Sequence, residues 1–152
     1  MTLISVNTAE KISIAVDAII EDNSDSLLFV RRKKDPFKGK LSLPGGKVDL
    51  GEMVEEAVKR EVLEETNLKV IPTDILGVYS DPKRDPRGHR VSITFIVKII
   101  DGEAKAGDDA GSLNWLPVTS NEILAFDHNR ILNDFKKWKK SRATYWSSKN
   151  VN

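Results

Sequence analysis

Five charged side chains stand close together at spacings that could build a site for a positive ion: Glu52, Arg60, Glu61, Glu64 and Glu65. With roughly 100° of rotation per residue, Val54, Val58 and Val62 make one apolar stripe of a helix. Glu61 and Glu65 fall at nearly the same azimuth as Val54 and Val58. Glu64 flanks them, while Glu55 and Lys59 point to the water side. Three carboxylates on or beside an inward face repel one another and resist desolvation. Arg60 offsets part of that cost, and a hard divalent cation with oxygen ligands, Mg2+ or Mn2+, is the simplest remainder. A cluster of acids is ordinarily a solvated face. Here the azimuth, the neighbouring arginine and a preceding glycine turn favour a site.

The surrounding sequence must hold these residues. Asp49 can serve as N-cap, with Glu52 three residues on as in a capping box. Asn67 tolerates the left-handed conformation that ends many helices, and Leu68 would then touch Leu63. Before the helix, Pro44-Gly45-Gly46 allows close backbone approach to a ligand or metal. Lys11 to Ile20 alternates as a strand, and Ser26 to Arg32 is a second, giving a hairpin across the polar turn 21–25. The basic run Arg31, Arg32, Lys33 and Lys34 reads equally as a solvated strand end or as phosphate contacts. After the helix, Leu68 to Tyr79 is a strand interrupted by Pro72, Arg90 to Ile100 is the clearest later strand, and Leu113 to Leu116 is short and extended. A last helix runs from about Asp127 to about Arg142, with Ile131, Phe135 and Trp138 on its apolar face. Its lysines read as a solvating face. Strands on both sides of one helix, with a second helix at the end, predict an α/β fold with a mixed sheet between helices.

Composition narrows the classes of function. The 152 residues suit one domain with one core, taken as 1–152 with a core of about 11–142. A hydrophobic fraction of 39% and a charged fraction of 31% fit a globular protein. Lys+Arg 24 against Asp+Glu 23 leaves a net charge of +1, so no global field favours nucleic acid or an anionic membrane. The chain has no cysteine, which excludes disulfides, zinc thiolates and cysteine nucleophiles. No signal peptide and no apolar run of membrane-spanning length is seen, and a cytoplasmic enzyme is the expectation. A homodimer is compatible with the sequence, which leaves the oligomeric state open.

The helix stretch closely resembles the signature of the Nudix hydrolases: glycine, five residues, glutamate, seven residues, then arginine, glutamate, an aliphatic residue, any residue, two glutamates, any residue, glycine and an aliphatic residue. Gly46, Glu52, Arg60, Glu61, Val62, Glu64, Glu65 and Leu68 stand in register, and Asn67 replaces the family's last glycine. The resemblance implies a three-layer α/β/α sandwich and Mg2+-dependent hydrolysis of a nucleoside diphosphate joined to another group. It implies metal ligands at Glu61, Glu64 and Glu65, with the Gly46 carbonyl as a further one. Arg60 then orients a glutamate, and Glu52 supports the ligands or holds an outer metal.

Further segments look like those of Nudix ADP-ribose pyrophosphatases: Tyr79 to Pro82, Arg84 to His89, Val91-Ser92, Gly107 to Ala110, Trp115 and Ala125 to His128. They imply ADP-ribose as substrate, with AMP and ribose 5-phosphate as products, and Arg31, Arg84, Arg87, His89, Gly45 and Gly46 as substrate-binding residues. A rigid hairpin loop with surface charges is the plainer reading of Arg84, Arg87 and His89, and helix-start packing is that of Phe126 and His128. Asp108, Asp109, Glu103 and a helix glutamate all stand as candidates for the general base. The alternatives are the same chemistry on NADH, a dinucleoside polyphosphate or an oxidised nucleotide, and a non-catalytic sensor of ADP-ribose.

Overall fold

The computed structural model describes residues 11–150. Its strands are β1 (Ser13–Ile20), β2 (Ser26–Arg32), β3 (Leu41–Ser42), β4 (Gly45–Lys47), β5 (Lys69–Tyr79), β6 (Arg90–Asp101), β7 (Ala110–Pro117) and β8 (Tyr145–Trp146). Its helices are α1 (Val54–Thr66) and α2 (His128–Ser141). A five-stranded mixed sheet runs in the order β4-β1-β6-β5-β8, and a three-stranded antiparallel sheet runs β3-β2-β7. β1 lies parallel to β6 and antiparallel to β4.

Side chains alternate along a strand, and β1 and β2 use that period to serve two cores. Val16, Ala18, Ile20 and Leu28 pack with Ala57, Val58 and Val62 of α1. Ile19, Leu27 and Phe29 pack with Ile131, Leu132, Phe135 and Trp138 of α2. The central strands thus lie between two helices, and the α/β sandwich with a mixed sheet is present.

The hairpin expected of β1 and β2 is not formed. One antiparallel bridge joins Glu21 and Leu27, after which the strands enter different sheets. Both are buried on both faces over most of their length. Such strands draw their neighbours from distant parts of the chain rather than sharing a ribbon with a wet face. Pro72 does not break β5. β8 covers only Gly77 and Val78, so Pro72 sits where β5 is an edge, and a register shift between Pro72 and Asp74 absorbs it.

The start of α1 also differs from the expectation. Gly51, at φ 84, turns the chain away from the helix, and the helix begins at Val54 after Met53. The Glu52 carboxylate still accepts from the Asp49 N–H at 3.1 Å, but within the turn ahead of the helix. Glu56 takes the capping role, accepting from the Met53 N–H at 3.2 Å. The helix stops at Asn67, whose φ of 63 is left-handed and whose N–H reaches the Leu63 carbonyl at 3.0 Å. Leu68 is buried in the cluster that holds Val58 and Val62, whereas Leu63 is 43% exposed. Leu68 is thus held by burial in the core. No helix among the described residues is long and apolar enough to cross a membrane.

Candidate active site

The last two turns of α1 carry the acids, and Arg60 organises them. Its Nε donates to Glu52 Oε2 at 2.7 Å and one terminal nitrogen to Glu52 Oε1 at 3.0 Å. The other terminal nitrogen donates to Glu61 at 2.9 Å and lies 3.3 Å from Glu64. A further bond, to the Lys47 carbonyl at 3.0 Å, ties the helix to β4. Arg60 therefore orients Glu52, Glu61 and Glu64. Its hydrogen bond holds Glu52 down to about 2, helped by the Asp49 N–H.

Glu65 lies deeper. It accepts from the Gly45 N–H at 3.2 Å. Burial pushes its carboxyl up to about 8, with the charge of Glu61 acting in the same direction. Burial also raises Glu61, against the pull of Arg60. The glycines of β4 permit this packing. A Cβ on Gly45 would lie 2.1 Å from the Val16 carbonyl oxygen, and one on Gly46 would lie 2.4 Å from the Glu61 carboxyl carbon. Only glycine leaves the Gly46 backbone open beside a carboxylate.

These features fit a hard cation. The donors are carboxylate and carbonyl oxygens, and burial together with repulsion by neighbouring carboxylates raises both Glu61 and Glu65 even with Arg60 beside Glu61, so a further positive charge would favour their ionised forms. Among the described residues no three acidic or histidine side chains converge as they stand. Glu64, 55% exposed, is turned to Arg60 instead.

A cavity of about 400 Å³ opens beside this corner. Gly45, Gly46 and Glu65 lie on one side of it, and Arg32, Lys33, Lys34, Arg84, Arg87 and Arg90 also line it. Asp109 lines it, while Asp108 does not. The loop before β7 is pressed onto the end of α1, with the Lys105 and Gly107 N–H groups donating to the Thr66 and Glu65 carbonyls at 2.8 and 3.0 Å. They satisfy acceptors that a helix end leaves unpaired. Glu103 is placed at that same helix end, its carbonyl accepting from Asn67 Nδ2 at 3.0 Å.

The basic residues singled out from the sequence have different settings. Arg31 donates to the Gly39 carbonyl at 2.7 Å and lies outside the cavity lining; its neighbour Arg32 lines it. Alternation along β2 sends the two to opposite faces. Arg84 lines the cavity, yet its side chain is only 4% exposed and grips Asp127 at 3.0 and 2.7 Å. Arg87 makes a two-point pair with Asp85 at 3.0 and 2.8 Å and remains 39% exposed. His89 bonds the Ser80 carbonyl at 3.0 Å and is not part of the lining.

Asp17 and Arg90 of the lining escaped the sequence reading, whereas His128 is the helix-start packing residue expected of it. Asp17 is a buried carboxylate in the middle of β1, bonded by the Ser92 hydroxyl and 3.6 Å from His128 Nε2. His128 is buried and accepts the Leu43 N–H on Nδ1 at 3.0 Å, and burial lowers its pKa. It therefore serves as a packed, neutral ring at the helix start. A charged residue among alternating aliphatics was the available signal for Asp17. Arg90, at the start of β6, carried none.

The NUDIX domain model matches residues 11–138. An ADP-ribose pyrophosphatase from Methanocaldococcus jannaschii is 51% identical over 127 residues, covering 84% of this chain and 75% of that protein. A putative 8-oxo-dGTP diphosphatase from Bacillus subtilis is 37% identical over 120 residues, covering 78% of this chain and 76% of that protein. The crystal structure of the MutT protein from Methanosarcina mazei superposes with a TM-score of 0.74 at 25% identity, covering 87% of this chain and 98% of that one. With the signature in register from β4 through α1, Gly46 against Glu61 and the sandwich around it, the chain belongs to the Nudix family.

Proposed function

We propose that the protein hydrolyses the pyrophosphate of ADP-ribose, giving AMP and ribose 5-phosphate. The observation that carries this reading is one cavity lined by Glu65 of α1, by Gly45 and Gly46 of β4 and by the basic residues Arg32, Arg84, Arg87 and Arg90; Glu61 and Glu64 lie outside its lining. Such a cavity suits a diphosphate joined to two sugars, and the M. jannaschii relative is named for this activity.

The family generally uses divalent metal ions. Glu61, Glu64, Glu65 and the Gly46 carbonyl are the residues that would hold Mg2+ or Mn2+. When bound, such an ion lowers the pKa of water and neutralises phosphate charge. The chain's own residues do the rest. Arg60 aligns Glu52, Glu61 and Glu64 from one guanidinium. Arg32 and Arg87 face the phosphates as planar cations, and Arg84 shapes the wall from behind. Water attacks one phosphorus in line, the new P–O bond forming as the bridging P–O bond breaks. Asp109, the loop acid that lines the cavity, takes the proton from water.

A substrate panel with Mg2+, read by product identity, tests this. ADP-ribose should give AMP and ribose 5-phosphate, and EDTA should abolish turnover until Mg2+ or Mn2+ is restored. Preferential turnover of an oxidised nucleotide, the activity named for the B. subtilis relative, would overturn the substrate. Full activity in EDTA would overturn the metal chemistry.

A further inference from the structure

The loop that brings Arg84, Asp85 and Arg87 to the cavity beside α1 leaves β5 at Ser80 and enters β6 at Arg90. Its root is tied twice. The Ser80 carbonyl bonds His89 Nε2 at 3.0 Å, which closes the two ends of the loop on each other. The N–H groups of Ser80 and Asp81 both donate to one distant acceptor, Ser147 Oγ, at 2.8 and 3.3 Å. These donors follow directly on the last residue of β5, where the ladder no longer supplies partners.

Ser147 is itself held by a circuit that starts at Tyr79, the residue before Ser80. Buried Tyr79 donates its hydroxyl to Asp134 at 2.9 Å. Asp134, 1% exposed, also accepts from Arg130 Nε at 3.2 Å. A terminal nitrogen of Arg130 then donates to the Lys149 carbonyl at 2.6 Å and the Trp146 carbonyl at 3.3 Å, on either side of Ser147. Ahead of Ser147, β8 lies parallel to β5 beside Gly77 and Val78, and Tyr145 is buried in the core with Phe135 and Trp138. A Cβ on Gly77 would stand 2.4 Å from the Tyr145 carbonyl oxygen, so glycine lets β8 come this close. The circuit thus runs from β5 through α2 to the turn after β8, and returns to the chain one residue past its start. A buried carboxylate is tolerated where its partners compensate it, and here the compensating arginine also fixes the place of Ser147.

We propose that the turn after β8 is a clasp on the substrate loop, with Ser147 as its positioning residue and Arg130 as its anchor. The inference rests on the reading of the cavity beside α1 as the substrate site. Arg84 is braced from outside the loop by Asp127, whereas Arg87 takes its two-point partner, Asp85, from within the loop. The placement of Arg87 therefore follows the loop backbone, which the clasp fixes at its root. Ordering a loop beforehand lowers the cost of binding without entering the chemical step, so the clasp acts on KM rather than on kcat.

Steady-state hydrolysis of ADP-ribose with Mg2+ tests this. Ser147→Ala should raise KM by roughly 2–10-fold, the weight of one hydrogen bond, and leave kcat within about twofold. Ser147→Thr keeps the hydroxyl and should restore the wild-type KM. Arg130→Lys keeps a positive charge beside Asp134 but loses the fork that also reaches two carbonyls, so it should shift KM in the same direction. Ser148→Ala, at an exposed neighbouring position, should change neither constant. Amide exchange at residues 80–89 should quicken in Ser147→Ala and Arg130→Lys and stay at the wild-type rate in Ser148→Ala. A wild-type KM in folded Ser147→Ala protein, judged by thermal midpoint, overturns the clasp, and so does a loss that falls on kcat. If Ser147→Ala does not fold, Arg130→Lys decides by the same two readings. If ADP-ribose is not hydrolysed, calorimetry with ADP and Mg2+ replaces KM. Weaker ADP binding by Ser147→Ala then leaves the clasp standing while the substrate assignment falls, and unchanged ADP binding removes both. If ADP-ribose is hydrolysed and KM does not move, the clasp alone falls.

Discussion

Arg60 reaches back eight residues and takes both oxygens of Glu52, at 2.7 and 3.0 Å. The same guanidinium bonds Glu61 at 2.9 Å, so one planar cation sets the spacing between the turn before α1 and the acids at its end. Lysine carries the charge but not the fork. Arg60→Lys should lower kcat by roughly 10–100-fold, as loss of a group that orients metal ligands does. Glu52→Gln should lower the thermal midpoint at pH 7. Its folded carboxyl is held down to about 2, so its contribution is present above the unfolded value of about 4.3 and is lost as pH falls toward 2. Thermal melts of wild type and Glu52→Gln should therefore converge on acidification through that window. Parallel curves from pH 7 to 2 would show that the grip does not hold Glu52 in solution.

Glu65 carries the opposite sign. Burial raises its folded carboxyl to about 8, so between about pH 4.3 and 8 the folded state binds a proton that the unfolded state has released. Stability falls as pH rises through that range. In EDTA at pH 9, Glu65→Gln should be more stable than wild type by roughly 1–3 kcal/mol, a gain that vanishes near pH 4. The amide oxygen can still accept from the Gly45 N–H, so the bond is kept while the charge is removed. Adding Mg2+ should raise the midpoint of wild type and leave the variant nearly unmoved. A variant less stable than wild type in EDTA at pH 9 would mean that Glu65 is better solvated than its depth suggests.

How much of this could be read without a structure depended on the range of the interactions. The acidic face of α1 was legible because a helix repeats locally: Glu61 and Glu65 are half-buried where the azimuth of Val54 and Val58 places them. Asn67 was legible because the left-handed stop depends on its own φ and on Leu63 four residues back. The start of the same helix was misplaced, since Asp49 and Glu52 form a capping-like bond that Gly51 detaches from the helix proper. The parallel pairing of β1 with β6 and the short β8 carry no local mark, because the first joins residues far apart in sequence and the second is only two residues long. In the cavity, Arg84 and Arg87 look equivalent in sequence. Only their partners Asp127 and Asp85 separate a buried brace from an exposed arm.

The helix stop gives a stability test free of the active-site chemistry. Asn67→Gly keeps φ 63 without strain and loses the side-chain bond to the Glu103 carbonyl, so the two effects nearly cancel. Asn67→Val places a β-branched residue in that region and should cost roughly 1 kcal/mol or more, read from the denaturant midpoint. A tolerated valine would mean that α1 ends elsewhere in solution.

The two arginines of the loop before β6 should part company when each is truncated. Arg84→Ala removes a side chain that is 4% exposed and leaves Asp127, at 20% exposure, and the buried Asp17 without their cation. Breaking a buried pair from one side costs about 3–5 kcal/mol, so this variant should lose much of its stability at neutral pH. Its loss of activity would then follow from the cavity wall that Arg84 shapes. Arg87→Ala leaves Asp85 the Arg87 backbone N–H at 2.9 Å and the nearby Arg90 at 3.8 Å, so its thermal midpoint should fall only slightly. If Arg87 faces ADP-ribose, kcat/KM for that substrate should drop far more than for a dinucleoside polyphosphate, with metal affinity in the absence of substrate unchanged. Equal losses on both substrates would make Arg87 a general phosphate clamp. No loss on either would leave it as a surface partner of Asp85, and the phosphate contacts would then fall to Arg32, the cation that β2 turns into the cavity.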